Sequence, residues 1–262
     1  MPLIFHKKPA LVVYVTCGDP DLETTHEIVL AAIDAGADVI ELGVPFSDPV
    51  ADGPVIQRAS ERALKHGTCL AQVLTLAAEI RQQAQSTGLI VFSYLNPILR
   101  MGLEKFSKVA RAAGLDGALV TDLPVEEAGE YLRAMKEHDL SPVFLAAPTS
   151  PDERLRRIAA VSQGFVYAVS RTGVTGQRQQ LAEDARKLVK RLRRVTKLPI
   201  AVGFGISTAD QFADVGEFAD AIAVGSAIVE TIERNRGREA GAVGEFVKHL
   251  LMGSGHLSMA SR

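Results

Sequence analysis

The chain has 262 residues, 47% of them hydrophobic and 23% charged, with a formal net charge of -2. The length suits two average domains or one α/β barrel. The near-neutral balance provides no global basic field for nucleic acid. Cys17 and Cys69 are too few for a disulfide framework or a metal site, and no apolar run reaches the ~20 residues of a membrane span.

The amino-terminal stretch MPLIFHKKPALVVYVTCGDP lacks the uncharged core and cleavage site of a signal peptide, so the expectation is a soluble cytoplasmic protein. From there on, short β-branched apolar runs alternate with longer amphipathic ones. The strand candidates are residues 11–15, 39–42, 89–92, 118–120, 143–145, 165–169, 200–202 and 221–224. Helical patterns fall at 24–35, 56–65 with 70–85, 103–113, 126–138, 152–160, 181–195, 209–215 and 227–234, and a last helix follows at 242–251. The basic run Arg186, Lys187, Lys190, Arg191, Arg193 and Arg194 shares a helical period with Leu188, Val189, Leu192 and Val195, and reads as a solvated helix face.

Short apolar strands separated by helices argue for a buried parallel sheet. Eight βα units in this length select a closed barrel over an open sheet. An open doubly wound fold calls for a glycine-rich dinucleotide turn after its first strand, and the turn here is TCGDPD. The fold class expected is therefore α/β, a single (β/α)8 TIM barrel with extra helices, one domain over 1–262. The tail from Gly253, GSGHLSMASR, reads as a frayed end. The segments AAIDAGADVIEL and ARAAGLDGALV look like helix C-caps leading into strands, and hint at repetition of one βα unit.

In such a barrel the carboxyl ends of the strands carry the site. In the second strand, period two puts Ile40 and Leu42 on the helix side and Val39, Glu41 and Gly43 on the other, so that Glu41 points into the barrel mouth. There burial raises a carboxyl pKa toward the range useful for general acid–base work, unless a cation from the next strand pairs with it. Asp52, just before Gly-Pro, reads on its local sequence as a helix N-cap in preference to a chemical role. Asp19-Pro20 and Asp48-Pro49 are turn signals.

Three glycine segments come late: SRTGVTGQ, GFGIS and AVGSA. Backbone amides in such turns, and at a helix N-terminus, cradle phosphate, and the loops after strands seven and eight are the usual phosphate site of this fold. Ser226 suits the start of the eighth helix. The loop 170–180 is polar and glycine-hinged, as a lid is. Tyr14, Phe92, Tyr94, Tyr167 and Phe204 lie at or near strand ends, where they serve either the barrel core or a flat aromatic substrate.

The stretch ELGVPFSDPVADGPVIQRA closely resembles the signature of tryptophan synthase α chains. YVTCGDPD, TDLPVEEA, YAVSRTGVTG, AVGFGIS and AVGSAIV match further family segments in the same order, from about Tyr14 to about Leu251. The resemblance implies a lyase that splits indole-3-glycerol phosphate into indole and glyceraldehyde 3-phosphate without a metal or cofactor of its own. By the same resemblance Glu41 is the acid–base residue and Asp52 holds the indole nitrogen. Tyr167 lines the site, with Phe204, Phe92 and Tyr14 flanking the indole. Gly176, Gly205, Gly225 and Ser226 bind phosphate through backbone amides. The partner implied is a β chain carrying pyridoxal phosphate, in an α2β2 tetramer. One departure stands out. The family usually places a helix before the first strand to cover the barrel floor, whereas PLIFHKKPA, with Pro2 and Pro9, is a poor helix and leaves that closure open. Position 14 is Tyr, where the family also uses Phe.

Overall fold

The computed structural model describes residues 5, 7–169, 178–203 and 205–252. Nine strand segments lie in one all-parallel sheet: β1 (Ala10–Thr16), β2 (Val39–Gly43), β3 (Gly88–Ser93), β4 (Gly117–Val120), β5 (Ser141–Val143), β6 (Leu145–Ala146), β7 (Val166–Val169), β8 (Ile200–Gly203) and β9 (Ala221–Val224). Their order is β5-β4-β3-β2-β1-β9-β8-β7-β6. β5 and β6 are the two halves of the expected fifth strand. The first half pairs with β4 and the second with β7, and the Tyr167 amide donates to the carbonyl of the intervening Phe144 at 3.1 Å. The ring of strands thus passes through this one broken strand, giving eight barrel positions.

Around it lie α1 (Leu22–Asp34), α2 (Pro54–Lys65), α3 (Leu70–Gln83), α4 (Leu95–Met101), α5 (Leu103–Ala112), α6 (Gly129–Glu137), α7 (Asp152–Val161), α8 (Arg178–Leu192), α9 (Ala209–Gly216), α10 (Ser226–Arg234) and α11 (Glu239–Met252). The helical pattern at 126–138 divides into a 3-10 turn, Val125–Glu127, and α6. α4 falls where the sequence patterns assign no element. Pro97 occupies the first turn of that helix, where a missing N–H costs nothing.

Strand alternation builds two cores. Leu11, Val13, Val15, Ile40, Leu42, Leu89 and Val91 face the helices. Ala10, Val12, Val39, Ile90, Leu119, Val143, Phe165, Ala201, Ala221 and Ala223 fill the interior, the small alanines making room for the larger rings and branched chains. At the amino-terminal end of the interior the described residues supply an aromatic plug. Phe165, fully buried, packs against Phe5 with ring centroids 5.3 Å apart, and Phe5 joins the interior cluster.

The repeat hinted at in the sequence has a physical basis at this end. Asp38, Asp116 and Asp220 each stand one residue before a strand. Their amides donate to the carbonyls of Leu11, Leu89 and Ile200, and their carboxylates accept the N–H of the same three residues, at 2.9 Å in each case. Each aspartate is thus a two-point clamp that sets the register of adjacent strands. Cations neutralise all three: Lys7 for Asp38, Arg81 for Asp116, and Lys8 with Arg193 for Asp220. Gly36 and Gly114, both at positive φ, reverse the chain after α1 and α5, where only glycine does so without strain.

Candidate active site

The carboxyl ends of the strands enclose a cavity of about 440 Å³ lined by Glu41, Asp52, Tyr14, Phe92, Tyr167, Gly205, Gly225 and Ser226. Eight of the ten residues expected at the site therefore meet around one space. Phe204 and Gly176 lie outside the described residues.

Glu41 comes up on the inner face of β2, as its parity requires. It is 1% exposed, and among the described residues neither carboxylate oxygen has a hydrogen-bond partner. The alternative of a cation from the next strand does not occur: its register neighbours are Tyr14 and Ile90. Burial without compensation pushes the carboxyl pKa up to about 8, because a lone anion in a low-dielectric interior is costly. Glu41 therefore holds its proton at neutral pH while lining a ligand-sized space.

Asp52 is not a helix cap. The N-cap of α2 is Gly53, with no side-chain bond to the helix, and Pro54 opens the first turn. The Asp52 carboxylate instead accepts from the Tyr94 hydroxyl at 3.0 Å, and that hydroxyl accepts from the Ala51 amide at 2.9 Å. Phe46 stacks on the Tyr94 ring with centroids 5.0 Å apart. Burial, then the Asp52 charge, push the Tyr94 phenol up, which keeps it a neutral donor. Tyr94 holds Asp52 at the rim, a link that joins residues 42 positions apart and has no local sequence signal.

Tyr14 and Tyr167 rise from β1 and β7, and each lies across a glycine of the neighbouring strand. A Cβ on Gly203 would stand 2.7 Å from the Tyr167 hydroxyl, and one on Gly43 would be closer still to that of Tyr14. The glycines ending ELG and AVG are thus spaces cut for two phenols. Tyr14 meets Phe92 edge to face at 5.1 Å and shares a 3.3 Å hydrogen bond with the Thr16 hydroxyl. Burial, then Glu41 and Tyr14, push the Tyr167 phenol up. The cavity wall is therefore a set of neutral aromatic faces around two carboxyl groups.

Across the cavity, Gly205 sits at φ +80 after β8, and Gly225 is the N-cap of α10, whose first residue is Ser226. A helix N-terminus leaves amides without helical partners, and its dipole favours an anion. The site thus has a carboxyl half, a flat apolar wall and an amide half suited to phosphate. Among the described residues, no group of three or more His, Cys, Asp or Glu is placed to hold a metal ion.

A family model described as tryptophan synthase alpha chain matches residues 3–252. The chain belongs to the tryptophan synthase alpha chain family. The alpha chain of Solibacter usitatus (strain Ellin6076) is 53% identical over 228 residues, which cover 87% of this chain and 85% of that one. The tryptophan synthase subunit alpha of Legionella pneumophila superposes with a TM-score of 0.87 at 36% identity, covering 96% of this chain and 94% of the other. A tryptophan synthase complex from Pyrococcus furiosus gives 0.86 at 38% identity, covering 94% and 99%. No helix among the described residues is long and apolar enough to cross a membrane.

Proposed function

We propose that this chain performs the α reaction of its family, with Glu41 and Asp52 as the working carboxyl groups. The α subunit of the family cleaves indole-3-glycerol phosphate in tryptophan biosynthesis, and the chain is a lyase of that class. The observation that carries the residue roles is the protonated, unpartnered Glu41 in the same cavity as Asp52 and the Gly205, Gly225 and Ser226 amides.

The substrate's phosphate sits on the α10 N-terminus and the Gly205 turn. Its indole lies among Tyr14, Phe92 and Tyr167, with the ring nitrogen toward Asp52. Glu41 donates its proton to indole C3. The Asp52 carboxylate stabilises the positive charge this places on the ring nitrogen. Glu41, now an anion, takes the proton of the adjacent side-chain hydroxyl as the carbon–carbon bond breaks and its electrons return to the ring. Indole and glyceraldehyde 3-phosphate leave, and Glu41 ends protonated as it began. No step needs a metal or cofactor. Tyr94 keeps Asp52 at the nitrogen, and the aromatic wall excludes water from the carboxyl.

The partner is a β chain, in an α2β2 assembly, with pyridoxal phosphate in that partner. A Pyrococcus furiosus relative is described as a tryptophan synthase complex. The mouth of this barrel presents two large apolar side chains to solvent, Val50 at 83% exposure and Leu99 at 52%, on the segments that follow β2 and β3. These are the segments beside Asp52, so a protein seated there would align it and exclude water, raising turnover. The deciding experiment is indole release from indole-3-glycerol phosphate, with and without a cognate β chain. Release that rises with the β chain is expected. No release under either condition would end the reading.

A further inference from the structure

Three elements that carry the site, β1, α2 and α10, are tied by one charged cluster on the outside of the barrel. Asp19, in the turn after β1, is 1% exposed. The Arg62 guanidinium on α2 donates to both of its oxygens, Nε at 2.8 Å and Nη2 at 2.7 Å, and Arg236 adds a third bond at 3.1 Å. The remaining arm of Arg62, Nη1, donates to Glu233 of α10 at 2.8 Å. Arg58, one turn earlier on α2, donates to both oxygens of Glu233, at 3.1 and 2.8 Å. Arg58 and Arg62 hold the Glu233 carboxyl down to about 2.

The site reading gives this cluster a meaning beyond stability. α2 begins just after Asp52, and α10 begins with the phosphate cradle. A substrate held at both ends needs those two helix starts at a fixed separation, and backbone chemistry alone sets no such distance. We propose that Arg62 is a positioning residue: through Asp19 and Glu233 it fixes α2 against α10, and so fixes Asp52 relative to the phosphate cradle. Arginine is required, because one planar fork spans two carboxylates along different directions and an ammonium does not reproduce that geometry. The proposal rests on the reading of Asp52 and the cradle given above.

The test compares two ligands on the whole chain: glycerol 3-phosphate, which fills the cradle alone, and a non-cleavable indole joined to phosphate by a three-carbon chain, which spans cradle and Asp52. Arg62→Lys keeps the charge and loses the fork, and Glu233→Gln keeps the Asp19–Arg62 pair while weakening the α10 arm. Both variants should bind glycerol 3-phosphate within about twofold of wild type. Both should lose about tenfold of the spanning ligand's extra affinity, with KM rising in parallel, and about tenfold in kcat, since a misplacement of ~1 Å costs up to ~10²-fold. A lower melting temperature with an unchanged affinity ratio and kcat would make the cluster merely structural and overturn the proposal. A parallel loss for both ligands would also overturn it, by confining the effect to the cradle. Hydrogen exchange at the α2 first turn, where the Gln57 amide bonds the Gly53 carbonyl, supplies a readout independent of activity. If wild type binds neither ligand, the functional reading fails, and unchanged exchange in Arg62→Lys then overturns the positioning role as well.

Discussion

Glu41 is a group whose usefulness and whose cost have one cause. Its pKa rises from 4.5 to about 8 because burial takes the anion out of water, which makes it a proton donor at neutral pH. The same burial weakens the fold as pH rises. Below pH 4.5 folded and unfolded chains both hold the proton. Between 4.5 and 8 the unfolded chain releases it while the folded chain does not, so stability falls through that window and levels off above it. The full penalty is on the order of 4–5 kcal/mol. Glu41→Gln should abolish indole release while leaving phosphate-ligand affinity near normal. Its urea midpoint should also gain on wild type between pH 5 and pH 8.5, and a gap between the two proteins that does not change with pH would contradict the burial argument. Asp52→Asn should lower turnover at least ~10²-fold, since a lost transition-state charge is worth ~2.7–4 kcal/mol. With Gly53 and not Asp52 as the N-cap of α2, near wild-type turnover in that variant would remove Asp52 from the chemistry.

Secondary-structure elements place these groups through close approaches that need specific small residues. Gly43 ends β2 beneath the Tyr14 ring, and an added Cβ would meet the phenol hydroxyl and two ring carbons. Gly43→Ala should therefore displace Tyr14 from the indole wall and weaken the spanning ligand more than glycerol 3-phosphate. Equal affinities for both ligands in wild type and variant would show that the ring does not face the substrate. At the other end of the cavity Gly225 starts α10, where a Cβ would stand 3.4 Å from Tyr14. Gly225→Asp adds bulk and like charge at the cradle, and glycerol 3-phosphate binding measured by calorimetry should weaken by tenfold or more. Unchanged affinity would move the phosphate elsewhere.

The barrel as a body is held at its amino-terminal end by packing and by the aspartate clamps. Phe165 fills the interior there with Phe5 against it. Phe165→Ala should cost ~3–5 kcal/mol in chemical denaturation, the usual range for a buried ring in a core that collapses only partly. A loss under ~1 kcal/mol would mean that the floor is closed by something else. At the opposite end, if the proposed β chain prefers the closed mouth, linkage requires that a substrate which closes it also tighten β-chain binding. Titrating the β chain with and without the spanning ligand should show tighter binding in its presence, and equal affinities with unchanged turnover would describe a lyase that works alone.

Periodicity made the barrel legible, because β2 and its neighbours must alternate to fill an interior and an outer layer at once. For that reason Glu41 was placed inward from parity alone, and the phosphate-suited turns could be assigned from their positions after β8 and β9. Local chemistry misled where a distant group intervened. Asp52 reads as a cap, yet Tyr94, 42 residues on, takes its carboxylate. The fifth strand reads as one run, yet it divides at Phe144 because its halves pair with different neighbours. The floor could not be read at all, since Phe5 and Phe165 are 160 residues apart and either could have been an ordinary core ring. The Asp19–Arg62–Glu233 cluster was hidden for the same reason, its members appearing in sequence as a turn and two solvated helix faces. Patterns that repeat along the chain are set by bond geometry and survive without context. The pairing of one particular side chain with another depends on where the closed sheet brings them, and that is settled only once the barrel has formed.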